Sequence, residues 1–260
     1  MKPIFSISII GSGNVAHQLG KALYNYGCKI DIVYNYNINS ANTLAKSLNS
    51  IASNKPSEIP KNSDLYLVAL KDEHISETLS KIDLENALIA HTSGTFNTQL
   101  INTYSARAAC FYPMQTFTKN ENLSIEDTAI FIESSSSKDA QLLEELCKNI
   151  HCKPFRINQK QREQMHIAAI ATNNFTYHLF SCIQEYCKNN ELPYASLKPL
   201  FLQTIEMIGK ENPFKHQTGP AKRGENTITE KHQDLLKNEK YLADIYSLFT
   251  EQINKKHLKK

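Results

Sequence analysis

The sequence predicts an α/β fold: a doubly wound parallel sheet, followed by an all-α domain. Three observations carry that prediction. Short β-rich runs alternate with helical stretches from Ile4 to Ile157, the pattern of strands joined by right-handed helical crossovers. One of these runs, Leu65–Leu70, is almost wholly apolar, as a strand covered on both faces must be. From Gln159 onward the strand signals stop, and apolar residues recur at helical spacing with no Gly or Pro before Asn189.

The elements follow in order. Ile4–Ile10 reads as the first strand, and a glycine turn leads into a helix over Asn14–Asn25. Lys29–Tyr36 is a second strand, and Ala41–Leu48 a helix with Leu44, Ala45 and Leu48 on one side. Leu65–Leu70, Ala87–Ala90 and Thr128–Ile132 are further strands, with another expected just before Phe111. A helix over Ala140–Lys148 and a short run at Pro154–Ile157 close the first domain, which is placed at 1–157. The second, 158–260, holds the long helical stretch to Asn189 and a helix over Leu197–Lys210, with Pro199 tolerable in its first turn. The polar loop ENPFKHQTGPAKRGEN (residues 211–226) comes next, then two helical stretches, the last over Tyr241–Ile253 with a frayed basic tail.

Composition narrows the function. The chain has 260 residues, 41% hydrophobic and 21% charged, enough for a real core. It has no apolar run of about 18 residues, so no membrane-spanning helix is expected. The N-terminal apolar run ends in a Gly-x-Gly turn without a small-residue cleavage site, which reads as a buried strand and not as an export signal. A net charge of +3 lacks the concentrated basic face of a nucleic-acid protein. The six Cys are scattered without metal-ligand spacing, so no metal is expected, and reduced thiols in the cytoplasm are.

Glycine is scarce, with 8 in the chain, and two stand at the first strand's end. Gly11-Ser12-Gly13-Asn14-Val15-Ala16 has the G-x-G-x-x-A form of a dinucleotide-binding turn. Gly11 allows the tight turn, Gly13 lets a pyrophosphate approach the backbone, and Ala16 allows close helix–strand packing. The N–H groups and dipole of the helix start then hold the negative charge. The second strand ends in Tyr34-Asn35-Tyr36-Asn37, where an acid that binds a ribose hydroxyl normally stands. Without that acid, Asn35 and Tyr36 face the ribose. Like charges about 4 Å apart repel by about 4 kcal/mol at an effective dielectric of 20, so the missing acid permits NADP. It does not select NADP. The reading leans to NADP and keeps NAD open.

Ligands of open α/β sheets sit beyond the carboxyl ends of the strands. That places Leu70 and Lys71 beside the cofactor, and His91, Ser93 and Gln115 toward a substrate. His91 ends a buried strand and must find a hydrogen-bond partner; Thr92, Ser93 and Gly94 serve equally as a helix start. In the second domain Arg162, His166, Asn173 and Asn174 interrupt an apolar helix, with His166 and Asn173 seven apart and hence nearly on one face. A satisfied core histidine is the plain alternative for His166. The Gln217–Arg223 loop is basic and conformationally restricted, suited to an anion or carboxylate, and equally to a solvated surface.

Together GSGNVA, VALKDE, HTSGT, YPMQTF, HIAAIATNNF and QTGPAKRGEN resemble a bacterial family of Rossmann-like oxidoreductases with a C-terminal helical domain of unknown function. That family is related to deazaflavin-dependent NADP reductase and pyrroline-5-carboxylate reductase. The resemblance covers nearly the whole chain. It implies a Rossmann-type nucleotide domain and a helical domain like that of 6-phosphogluconate dehydrogenase, which usually dimerises. Two positions depart from the family: Tyr36 stands where an Arg is common, and Glu225 where an Asp is common. The helix Lys of the related hydroxyacid dehydrogenases is replaced by Ile170 if Asn174 is their Asn, so a Lys-based mechanism does not transfer.

The resulting expectation is an NAD(P)-dependent oxidoreductase moving hydride to or from a small carbonyl or imine compound. His166 is the first choice of proton donor, because an imidazole titrates at about 6.5, and His91 the second. Asn173 orients the substrate, Ser93 and Gln115 bind its polar groups, and Arg223 holds a carboxylate. A homodimer is expected. A nucleotide-binding sensor or scaffold without turnover is the alternative, and a ketopantoate-type reductase a third reading, opposed by the missing Lys.

Overall fold

Alternating side chains on the strands build two separate cores, one on each face of a single sheet. In a computed structural model, which describes residues 3–117, 124–210 and 212–257, strand β4 (Leu65–Val68) is buried along its whole length. Its Leu65 and Leu67 enter one cluster, with Ile7, Ile9, Leu88 and Ala90. Tyr66 and Val68 enter the other, with Ile10, Ile32 and Ile89. The period of two is what a strand covered on both sides produces.

The sheet has eight strands in the order β3-β2-β1-β4-β5-β6-β7-β8. They are β1 (Ser6–Ile10), β2 (Lys29–Tyr34), β3 (Ile51–Ser53), β4, β5 (Leu88–His91), β6 (Arg107–Pro113), β7 (Ala129–Ser134) and β8 (Lys153–Arg156). Neighbours pair in parallel except β6 and β7, and an antiparallel pair needs no helical crossover. Pairing aligns Tyr34, Ile10, Val68, His91, Cys110 and Glu133 as one row across six strands. Helices α1 (Asn14–Tyr26), α2 (Ile38–Ser47), α3 (Asp72–Leu79) and α4 (Ser137–Asn149) connect the strands. Gly20 of α1 marks the close approach of helix to sheet, since a Cβ there would lie 3.1 Å from Ile9 Cδ1.

Several elements differ from the sequence reading. Strand β3 and helix α3 go unread, one because three residues are too few for a period, the other because DEHISETL buries only Ile75 and Leu79. Phe111–Pro113 belongs to β6 and does not follow it. The helical stretch after Gln159 is two helices, α5 (Gln159–Thr172) and α6 (Asn174–Asn189), with Asn173 between them. Asn competes for backbone groups with its own side chain and favours helix ends.

The chain divides into two compact units, Met1–Ala169 and Ile170–Lys260, and the division falls inside α5. The second unit contains α6, α7 (Lys198–Ile208), α8 (Pro213–His216), α9 (Pro220–Arg223), α10 (Asn226–Leu235) and α11 (Lys240–His257). The 211–226 segment thus carries two single-turn helices, each opened by a Pro at its first position. The last helix runs on through Lys255–His257, and the rest of the basic tail lies outside the described residues. His232 Nδ1 and Tyr246 Oη, 2.8 Å apart, tie α10 to α11. No helix among the described residues is long and apolar enough to cross a membrane.

Candidate active site

The strand order reverses between β1 and β4, and ligands of doubly wound sheets bind outside the strand ends at such a point. The turn after β1 stands there. Gly11 has φ +115°, and a Cβ on it would lie 2.7 Å from the carbonyl carbon of Ala69 and closer still to its oxygen. The fold itself therefore demands glycine at 11. At Gly13 it does not: φ is −77°, and an added Cβ would meet nothing within 4 Å. Helix α1 opens at Gly13 with no side-chain cap and no acidic residue in its first turn. Such a start suits an anion, and an open approach to its backbone suits a pyrophosphate. Ala16 is buried against the sheet. These residues fit a dinucleotide.

The flanking residues are held in place from within. Asn14 Nδ2 donates to the carbonyl of Phe117 at 2.7 Å, and Val15 packs against the core. Asn35 donates to Ser12 Oγ and accepts from the Asn37 N–H at 3.2 Å. Asn37 in turn caps α2, accepting from the Asn39 and Ser40 N–H groups. Tyr36 is 77% exposed, and residues 34–37 offer no cation for a 2′-phosphate. Leu70 borders Gly11, its Cδ2 3.2 Å from where a Cβ would be, and exposed Lys71 opens α3.

The loop after β5 is the second half of the site. Ser93 Oγ accepts from the N–H groups of Thr95 and Phe96, both at 3.0 Å, and the Ser93 N–H donates to His91 Nδ1 at 3.2 Å. His91 Nε2 lies 2.9 Å from Thr98 Oγ1. Because Nδ1 accepts, Nε2 carries the proton and donates. Burial, and secondarily the Arg162 charge, push His91 down to about 3. Expected as the second proton donor, it is a neutral residue with both nitrogens occupied, and its part is to shape the loop. The unfolded chain takes up this proton below about pH 6.5 and the folded chain only near pH 3. Stability from this group is thus complete above 6.5 and falls by about 1.4 kcal/mol per pH unit below it. Urea unfolding at pH 7 and pH 5 should differ by about 2 kcal/mol on this account. In His91→Asn, which keeps an acceptor for the Ser93 N–H, that increment should vanish; an unchanged pH difference would clear His91 as its source.

His166, on α5, meets this loop at Gly94. A Cβ on Gly94 would lie 2.5 Å from His166 Nδ1 and 3.1 Å from Tyr112 Cζ, so glycine is needed for space alone. Tyr112 Oη lies 2.9 Å from His166 Nδ1, with the rings edge to face at 5.9 Å. Burial raises the Tyr112 phenol, which stays protonated. His166 is half-buried, and its Nε2 makes no hydrogen bond among the described residues. Sequence reasoning gave Tyr112 and Arg162 no role in the site. Fully buried, Arg162 donates to the Ser93 and Phe96 carbonyls at 3.0 and 2.8 Å, to Thr98 Oγ1 at 3.3 Å and to Glu133 Oε2. The available signal was its position one turn before His166 on the same helix face. Cys110 donates to the Ser93 carbonyl at 3.7 Å, and burial pushes its thiol up to about 12.

The remaining expected residues stand elsewhere. Gln115 is exposed and accepts from the Thr116 N–H. Asn173 and Arg223 belong to the second unit. Arg223, expected to hold a substrate carboxylate, holds that of Glu225 through two bonds of 2.6 and 2.9 Å. A cavity of about 910 Å³ lies at the opposite, amino ends of the strands, where Lys61 pairs with Asp83 and Arg107 with Asp139.

Residues 6–92 match the family model described as NADP oxidoreductase, coenzyme F420-dependent. Residues 128–253 match a domain of unknown function, DUF2520. No curated protein matches the sequence. Among solved structures, the chain is similar to a Bacteroides fragilis protein described as a candidate NADP oxidoreductase, BF3122. The two share 31% identity over 96% of this chain and 98% of that one, with a TM-score of 0.88. A reductive aminase from Aspergillus terreus, solved with NADPH4, cyclohexanone and allyl amine, is 13% identical over 96% and 93% of the chains, TM-score 0.75. A 1-pyrroline-5-carboxylate reductase from Streptococcus pyogenes is 14% identical over 96% and 98%, TM-score 0.68. At such identities these last two establish a shared fold.

Proposed function

The chain belongs to the NADP oxidoreductase family of the Bacteroides fragilis protein, and from that premise we propose that it binds NADP(H) at the Gly11–Ala16 turn and moves hydride to or from a small carbonyl or imine compound. The observation that carries this reading is Gly13, a glycine that neither its backbone angle nor its packing requires. An imine stands beside a carbonyl because a reductive aminase and a pyrroline-5-carboxylate reductase share the fold. NADP ranks before NAD by family, although the β2 end supplies no cation.

When bound, the reduced nicotinamide supplies hydride. The chain's own task is the proton. His166 is the group we assign to it, since Tyr112 holds Nδ1 and leaves Nε2 to face a ligand. The Tyr112 hydroxyl serves both states of the ring. It accepts from Nδ1–H of the imidazolium and equally from Nδ1–H of the neutral ring left when Nε2 gives up its proton, so the ring passes on its proton without moving. Ser93 and Gln115 are assigned the substrate's polar groups. Fluorescence titration with NADPH and NADH is the direct test. NADPH should bind more tightly, and a panel of cyclic imines and ketones should then oxidise it. Failure of both nucleotides to bind would sink the reading.

The second unit is assigned to a second copy of the chain. Helix α7, KPLFLQTIEMI, buries no residue, and Leu200, Leu202, Ile205 and Ile208 are each more than half exposed. A helix so apolar needs a covering surface, and a symmetric pair supplies one from the same patch. Sedimentation equilibrium should give a dimer, and Leu202→Glu with Ile205→Glu a monomer; an unaltered mass in the variant would reassign the face. The six free, buried Cys suit the cytoplasm, where we place the protein.

A further inference from the structure

We propose that Arg162 is a positioning residue: its buried guanidinium binds the Ser93–Thr98 loop and the His166 turn of α5 into one piece, and so fixes where His166 stands. The inference rests on His166 as proton donor and goes beyond it.

Arg162 is completely buried, and all three guanidinium nitrogens are used. Nη1 takes the Ser93 carbonyl. Nη2 takes the Phe96 carbonyl, Thr98 Oγ1 and Glu133 Oε2, and Nε takes Glu133 Oε2 as well. A rigid planar fork with partners on a loop and on β7 fixes directions as well as distances. Stability alone is a poor reason for such a group, because apolar side chains of similar volume commonly replace buried ion pairs without loss.

What the fork orients is the ground under the imidazole. The Ser93 carbonyl points to Arg162, and in a planar trans peptide the Gly94 N–H must point the opposite way. That N–H makes no hydrogen bond among the described residues, although Gly94 is buried. Gly94 also touches His166 directly. Arg162 and His166 are four residues apart on one helix face, about 6 Å along the axis. One side chain therefore sets both the floor of the site and the helix turn above it.

The test reads His166 in the full chain without ligand, so it is independent of whether the protein turns over any substrate. Long-range ¹H–¹⁵N spectra of protein labelled at histidine give the ring tautomer, with the His166 signals assigned by their loss in His166→Gln. The paired substitution Arg162→Met with Glu133→Leu removes fork and counter-charge together. We expect it to melt within a few degrees of the unmodified protein and to bind NADPH equally, while His166 loses its single ring tautomer. A folded pair with unchanged His166 signals would overturn the proposal. Should that pair fail to fold, Arg162→Lys keeps the charge but cannot span the Ser93 and Phe96 carbonyls, and unchanged His166 signals there would overturn it equally. In the unmodified protein, the amides of Phe96 and His166 should exchange hydrogen in step, and independent exchange would count against a single piece. Loss of NADPH binding by the unmodified protein would sink the proposed function and leave this result standing.

Discussion

Gly11→Ala should abolish dinucleotide binding and lower the melting temperature by roughly 10 °C, whereas Gly13→Ala should weaken binding at least about tenfold and leave melting unchanged or slightly raised. At 11 the new methyl meets the Ala69 backbone, which has no rotamer to escape into, and φ +115° adds strain of its own. Together these cost about 3–5 kcal/mol, and a domain of this size loses about 2–4 °C per kcal/mol. At 13 the methyl enters open space, and replacing glycine at an ordinary φ restricts the unfolded chain, a gain of about 0.4–1 kcal/mol. Only a ligand lying against the helix start would feel it. Thermal melts and NADPH titrations of both variants check the pair. If Gly13→Ala bound NADPH as tightly as the unmodified protein, the cofactor would have to lie elsewhere.

His166→Ala should reduce turnover on any imine or ketone found in the screen by about 10²–10⁴-fold, the usual worth of a general acid, and leave NADPH affinity within about twofold. Gly94→Ala keeps the imidazole but drives a methyl to 2.5 Å from Nδ1, so the ring must swing away from Tyr112. We expect most of the same loss from it. Tyr112→Phe should cost less, because the ring keeps its place under Gly94 and loses only the hydroxyl that holds Nδ1. Wild-type turnover in His166→Ala would hand the proton to another residue.

The sheet was largely legible in the sequence because its strands are short apolar runs bounded by turns. Gly11-x-Gly13 was legible too, since its position directly after the first strand is as informative as its glycines. Pairing partners are not a local property, and nothing in AIFIES (Ala129–Ser134) declares that β7 runs against β6. The His166–Tyr112 pair spans 54 positions, beyond the reach of any periodicity. Arg162 was named as an interruption of an apolar helix, yet a charged side chain on a helix reads as solvated until its acceptors are seen. His91 shows the opposite limit. That a buried histidine needs a partner was foreseen, but two partners remove it from proton transfer, and the sequence counts only the need.

The row of Tyr34, Ile10, Val68, His91, Cys110 and Glu133 fixes the spacing of the site. The Gly11–Ala16 turn begins one residue beyond Ile10, the loop under the imidazole starts beside His91, and the acid that anchors the guanidinium is Glu133. All three are indexed to one rung of the backbone ladder, and a slip of one residue would shift one against another by about 3.3 Å. On the proposed assignments, the spacing between the hydride and proton sources is therefore carried by the sheet and not by surface segments.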